Sequence, residues 1–455
     1  MRGLRVLACF ALCLLASCSG AQDINVSPYI GSLDELSIAV LRERSYGSRL
    51  KIEKQTARDD RDLLIVSYLS DGLRVYSRVD IPAQPAPEDG FPVIVFVHGW
   101  LGIEQAPTSD FYIEGDGNYQ AMIADYVAAG FVVFTPGWRG HGTVNGVPAD
   151  GIEFMEAWDN GSYISPVFYA IDVLNLLDGL STFEGNKLNV ANVNLVAHSQ
   201  GGDVALIALA IAGEGSRVAT EISSGSLWSA CFPSRFTQLE TYEAMQSSPQ
   251  AFLSGDGSWN GTPTGAQGQE NVNFVFGYPA DWIGTPNIEE WTWQKDTFSL
   301  PSVADALKKK LDEMYGAINR YVEDIDDAEY ELRINHGRRP EIIHDERVSS
   351  AMAKIDAFNL EEYLTEPLIL QHSDRDFYSF PEWNADLCAR VNRAGGTCHN
   401  FEYIGNTHSL RTSENSWFSG EDATPGFSEA IRKDVAFFKG EDPSQIGATG
   451  ESLQK

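Results

Sequence analysis

Residues Val193-Asn194-Leu195-Val196-Ala197-His198-Ser199-Gln200-Gly201-Gly202 constrain this chain more than any other stretch. An apolar run of buried-strand type ends at a small-X-Ser-X-Gly turn, and a helix-like segment, Asp203 to Ala212, begins at once. A strand that passes into a helix through so sharp a turn leaves its central Ser at the rim of a sheet, with the hydroxyl exposed. The turn brings backbones close together, so the positions two before and two after the Ser must be small. Here they are Ala197 and Gly201, with Gly202 beyond. The usual first residue is Gly, and Ala197 is a departure whose methyl group is expected to fit.

Such a turn has partners in a fixed chain order: an oxyanion loop upstream, then an acid, then a His downstream. Val93-Ile94-Val95-Phe96-Val97 reads as a buried strand and ends in His98-Gly99-Trp100. The backbone N–H of Trp100, paired with that of Gln200, is placed to stabilise a developing oxyanion. Far downstream, Glu366 to Gln371 reads as a strand that runs into His372-Ser373-Asp374-Arg375-Asp376. Asp376 is the expected acid, four residues past that His, and Asp374 is its competitor. Phe401 to His408 then supplies a strand, a turn and a His. A Ser hydroxyl is a poor nucleophile until an imidazole takes its proton, and the imidazole needs a carboxylate to fix its tautomer. Ser199, His408 and Asp376 are the candidates for these roles. Of the 8 His, His98, His141, His198 and His372 sit at motif positions where structural roles are expected.

These residues resemble the α/β-hydrolase superfamily, and within it the catalytic domain of prolyl oligopeptidase-type serine hydrolases. Two further stretches carry the resemblance. Ser70-Asp71-Gly72-Leu73-Arg74-Val75-Tyr76 is similar to the hairpin ahead of the oxyanion strand, and Trp138-Arg139-Gly140-His141-Gly142 to the loop after the fourth strand. The resemblance covers roughly residues 62–225 and 366–440. It implies a doubly wound, mostly parallel sheet, an acyl-enzyme mechanism and no cofactor. The β-propeller of the oligopeptidases has no room here, and no paired-Glu motif for gripping an amino terminus is present. Carboxylesterases and acetyl-xylan esterases share much of the pattern, so a peptide and an ester both remain open as the small substrate. A hydrolase fold used only as a surface binding module is the alternative of another class.

The chain opens with Arg2 and Arg5 and the apolar stretch Val6 to Ala16. That is a signal-peptide pattern, too short to span a bilayer in the mature protein. It ends in Leu15-Ala16-Ser17-Cys18, similar to the lipobox of bacterial lipoproteins, in which Cys18 becomes the lipidated N-terminus; cleavage after Ala21 is the alternative. A lipid on Cys18 would be the only membrane attachment. Of 6 Cys, Cys9 and Cys13 leave with the signal, and Cys231, Cys388 and Cys398 remain in the body. Cys388 and Cys398 are candidates for a bridge in an oxidising compartment. No Cys/His spacing suits a metal. Asp and Glu outnumber Lys and Arg by 64 to 33, for a net charge of −31, and such a surface repels nucleic acid.

The expected organisation is a signal at 1–17, an N-terminal segment at 18–61, a core in two parts at 62–225 and 365–440, and a tail at 441–455. Between the two parts lies an insertion, 226–364, where this fold carries lids. It holds a Gly-, Ser- and Asn-rich loop near 254–274 and a helical stretch near 303–363, with Leu307, Leu311, Tyr315, Ile318 and Val322 at three- and four-residue spacing. Five of the 10 Trp, namely Trp228, Trp259, Trp282, Trp291 and Trp293, fall in it and are candidates to line a pocket over Ser199 or to form the lid's own core. Strands are expected near 62–69, 73–80, 93–97, 131–135, 193–197, 218–223, 367–371 and 399–404.

Overall fold

The computed structural model describes residues 27–108, 119–159, 164–185, 187–230, 303–334, 340–373, 376, 379, 381–403, 408–410 and 425–447. The signal segment, Cys18, Cys231, Asp374, Trp259, Trp282, Trp291 and Trp293 lie outside the described residues.

Nine strands form one sheet. In chain order they are β1 (Lys51–Ala57), β2 (Arg61–Ser70), β3 (Leu73–Pro82), β4 (Phe91–Val97), β5 (Val132–Pro136), β6 (Leu188–His198), β7 (Ser224–Trp228), β8 (Leu368–Ser373) and β9 (Cys398–Tyr403). Their spatial order is β1-β2-β3-β5-β4-β6-β7-β8-β9. The pairs β1–β2, β2–β3 and β3–β5 are antiparallel, and every pair from β5–β4 to β8–β9 is parallel. The β2–β3 hairpin turns on Asp71 and Gly72, with φ of 52° and 86°, the two left-handed positions that a tight Asp-Gly turn supplies.

The period of β4 explains the layers. Val93, Val95 and Val97 point into one buried cluster with the helices α3 (Ser165–Gly179) and α4 (Gln200–Ala212). Ile94 and Phe96 point into a second cluster with α1 (Gln120–Ala128) and α8 (Pro425–Phe438). Alternate side chains are therefore buried on both faces, which is why the strand reads as a continuous apolar run. The remaining described helices of seven residues or more are α2 (Ile152–Trp158), α5 (Val303–Tyr321), α6 (Glu346–Ile355) and α7 (Pro381–Arg393). A disulfide joins Cys388 on α7 to Cys398 at the start of β9, with Cα atoms 5.3 Å apart.

Two expectations are corrected. The strand expected at 218–223 lies at Ser224–Trp228. The Asp178 carboxylate accepts from the backbone N–H groups of Ala219 and Thr220 at 2.8–3.0 Å and holds that stretch off the sheet. The true strand begins Ser-Gly-Ser because space is short: a Cβ on Gly225 would stand 2.9 Å from Leu209 Cδ1. Trp228 is accordingly a fully buried sheet residue at the end of β7.

The described half of the insertion is also less helical than expected. Between α5 and α6 lies an antiparallel hairpin, Glu331–Ile334 with Pro340–Ile343. This half does not stand apart from the core. Val322 bridges to Ile30, with Ile30 N–H donating to Tyr321 O and Glu323 N–H to Ile30 O, each at 2.9 Å. Leu311, Met314, Ile318, Val348 and Met352 join the same buried cluster as α3 and α4.

Candidate active site

The elbow forms as its spacing predicts. β6 ends at His198, and Ser199 takes φ 55° and ψ −132°, a conformation that a non-Gly residue adopts only under constraint from its surroundings. Two hydrogen bonds supply that constraint: Ser199 N–H donates to Trp228 O at 3.1 Å and Gly202 N–H to Ser199 O at 2.8 Å. The small residues are obligatory. A Cβ on Gly201 would lie 2.1 Å from His98 O, and one on Gly202 would lie 1.8 Å from Ala230 Cβ. Ala197 is fully buried, and its methyl group is accommodated.

The His98–Trp100 loop passes close over the Ser. A Cβ on Gly99 would meet Ser199 Cβ at 3.3 Å and the Tyr119 hydroxyl oxygen at 2.7 Å. Gln200 is the first residue of α4, where backbone N–H groups have no acceptor within the helix and the dipole favours negative charge. His98 stacks on Trp138 at 4.0 Å between ring centroids, and Trp138 stacks on Tyr169 at 4.5 Å. The loop that carries Trp138 is held in turn by Arg139, whose guanidinium and backbone N–H all donate to Asp172, at 2.7–3.1 Å. Burial drives the His98 and His141 imidazoles down to about 3 and about 4, so both are neutral parts of this scaffold. His372 serves β9 instead, its Nε2 lying 3.0 Å from Asn400 Oδ1.

Asp376 and His408 meet although they are 32 residues apart: His408 Nδ1 lies 2.9 and 3.0 Å from the two Asp376 carboxylate oxygens. Both residues are buried. Ser379 N–H donates to Asp376 Oδ1 at 3.0 Å and fixes the carboxylate. Bonding through Nδ1 places the imidazole proton there and makes Nε2 the basic nitrogen.

His198 and Tyr119 tie these parts together. Gly99 N–H donates to the Tyr119 hydroxyl at 3.0 Å, and that hydroxyl lies 2.9 Å from His198 Nδ1. His198 Nε2 lies 3.1 Å from His408 O, which can only accept, so the proton is on Nε2 and Tyr119 donates to Nδ1. Burial, then the nearby His408, hold the His198 imidazole far below its usual range and keep it neutral. Nothing in the sequence around Tyr119 marks it for this position.

Asp159, which caps the C-terminal end of α2, is a second residue that the sequence did not single out. Its carboxylate accepts from Ser165 Oγ at 2.6 Å, from Trp100 Nε1 at 3.1 Å and, at the long distance of 3.4 Å, from Gln200 Nε2. Burial raises this carboxyl above the ordinary range against the pull of those donors. Trp228 is fully buried, and its Nε1 donates to Asp434 at 2.8 Å within the cluster it shares with α1 and α8. Among the described residues no group of His, Cys, Asp and Glu is arranged to hold a metal, and no helix is long and apolar enough to cross a membrane.

This arrangement is the α/β-hydrolase fold. A family model described as alpha/beta hydrolase fold matches residues 92–275, from β4 past the elbow. Solved structures similar to this chain include an acetyl xylan esterase from Paenibacillus sp. R4, at 13% identity and a TM-score of 0.47, covering 88% of this chain and 92% of that one. An acylaminoacyl peptidase from Pyrococcus horikoshii has 13% identity and a TM-score of 0.45, covering 86% of this chain and 49% of that one. A putative dipeptidyl aminopeptidase IV from Bacteroides ovatus has 12% identity and a TM-score of 0.45, covering 85% of this chain and 36% of that one. These likenesses carry no argument about substrate. No curated protein matches the sequence.

Proposed function

We propose that this protein is a serine hydrolase that cleaves a small ester or peptide through an acyl-enzyme. Ser199 attacks the carbonyl. His408 takes its proton as general base and later returns one to the leaving group, while Asp376 fixes the imidazole and stabilises its cationic form. The N–H groups of Trp100 and Gln200 receive the oxyanion, and water then releases the acyl group. Two observations support this reading together: Ser199 is strained at the elbow, and the buried His408 is held through Nδ1 by both oxygens of Asp376. A binding module would gain nothing from keeping Ser199 at a positive φ, which costs about 1–3 kcal/mol. A fluorophosphonate probe is expected to label Ser199, and Ser199→Ala to abolish labelling. Labelling that persists at another Ser in the variant would overturn the assignment.

Export as a lipoprotein belongs to the same proposal and rests on Leu15-Ala16-Ser17-Cys18. The wild type is expected to fractionate with membranes, and Cys18→Ser to release it or block processing. A mature N-terminus at Gln22 without lipid, seen by mass spectrometry, would rule the anchor out.

A further inference from the structure

The two candidate oxyanion donors come from different parts of the chain, Trp100 from the loop after β4 and Gln200 from the start of α4. Catalysis requires their N–H groups to converge on one point, within a few tenths of an ångström. Their backbones touch where Gly201 packs against His98 O, one residue past Gln200 and two before Trp100. Their side chains also end on the same group. Trp100 is 60% exposed, yet its indole N–H is tied down at 3.1 Å to Asp159 Oδ2, and the Gln200 amide reaches Asp159 Oδ1. Asp159 is itself well fixed. Its backbone N–H donates to Met155 O at 3.0 Å, and Ser165 at the start of α3 holds Oδ1 at 2.6 Å. The neighbouring Trp158 is fully buried, donates to Pro28 O at 2.9 Å and packs on Tyr321 of α5 with ring centroids 5.7 Å apart. The described half of the insertion therefore supports the end of α2 that carries Asp159.

We propose that Asp159 is a positioning residue for the oxyanion hole, accepting from the side chains of Trp100 and Gln200 so that their backbone N–H groups stay in register over Ser199. This inference rests on the reading of Ser199 as the nucleophile. A carboxylate whose oxygens are already occupied by protein donors on three elements is suited to bracing and not to gripping a substrate cation. Its action is on a step at which negative charge develops, so its loss should slow the bond-forming step and leave initial binding alone.

The test is the kinetics of Ser199 phosphonylation by a fluorophosphonate, whose P=O oxygen occupies the oxyanion hole, with the folded state followed by circular dichroism. Asp159→Ala should lower kinact about 10–100-fold, short of the 10²–10³-fold cost of deleting a donor, with KI changed less than about 3-fold. Asp159→Asn keeps an acceptor oxygen for the Trp100 indole and should recover most of the loss. Trp100→Phe keeps the backbone N–H but removes the indole N–H. It should be slowed like Asp159→Ala, and the double variant should be little slower than either alone. Additive losses, an unchanged kinact in Asp159→Ala, a change confined to KI, or an Asn variant no better than Ala would each overturn the proposal. Absence of label at Ser199 in the wild type would instead refute the nucleophile assignment, and this inference with it.

Discussion

Asp376→Asn is expected to lower kcat by about 10³–10⁴-fold while leaving the fold intact. The carboxylate can only accept, so it admits one imidazole tautomer, with the proton on Nδ1. An amide in its place offers an N–H on one side and can turn to donate to Nδ1, which moves the imidazole proton to Nε2 and removes the base from Ser199. The variant also loses the charge that stabilises the imidazolium. Asp376 is fully buried, and both of its oxygens lie within 3.0 Å of His408 Nδ1, so no water is needed to bridge the pair. Steady-state rates on nitrophenyl esters, alongside the far-ultraviolet spectrum, check it. Asp374→Asn is the comparison, and a larger loss there would show that the acid had been placed in the wrong register.

What the sequence revealed and what it hid divide along a physical line. The elbow, the Asp-Gly hairpin and β4 are local: their signals lie in turn residues that accept a positive φ or a close approach and in short continuous apolar runs, both readable within ten residues. β7 was displaced because its residues, Ser-Gly-Ser, have poor strand propensity and are chosen for close packing on Leu209 and Leu368. β1, Lys-Ile-Glu-Lys-Gln-Thr-Ala, is an exposed edge strand with charges on both faces and shows no apolar alternation. A strand ending at 223 puts Trp228 outside the sheet, whereas β7 runs to Trp228 and buries it. Tyr119 and Asp159 have no local mark, since each acts on groups 20 to 79 residues away in the first case and 6 to 59 in the second. Hydrogen-bond convergence of that kind is a property of the folded chain alone.

Asp434 is the extreme case, and it carries the largest expected effect on stability. On α8 it occupies a position that reads as one polar residue of an amphipathic helix, yet it is fully buried. Its Oδ1 accepts from Ser226 Oγ at 2.7 Å and Gln371 Nε2 at 2.6 Å, and its Oδ2 from Tyr126 OH at 2.6 Å and Trp228 Nε1 at 2.8 Å. The four donors come from α1, β7 and β8, so this one carboxyl pins α8 to the sheet. In Asp434→Ala the indole N–H keeps Ser226 Oγ at 3.1 Å and the Gln371 amide keeps Ala430 O at 3.2 Å, but the Tyr126 and Ser226 hydroxyls lose their carboxylate acceptor and a buried cavity is left among the four. A loss of about 3–5 kcal/mol is expected, measured by denaturant unfolding. Activity should fall with it, because Leu410, two residues past His408, packs in the same cluster as Trp228 and Phe427 of α8. The pH dependence has a definite sign. Burial pushes the Asp434 carboxyl up to about 7, against the four hydrogen bonds that oppose the rise, while an unfolded Asp titrates near ~3.9. The folded state therefore holds the proton more tightly. Its stabilising contribution is complete below pH ~4, is lost as pH rises towards about 7, and is level above that. About 3 pH units of difference correspond to at most ~4 kcal/mol. The stability of the wild type relative to Asp434→Asn should fall by a sizeable part of that between about pH 4.5 and about pH 8, the span bracketed by the two titration points. A difference that stays level across this range would mean that Asp434 is ionised throughout, held by its four donors against the cost of burial.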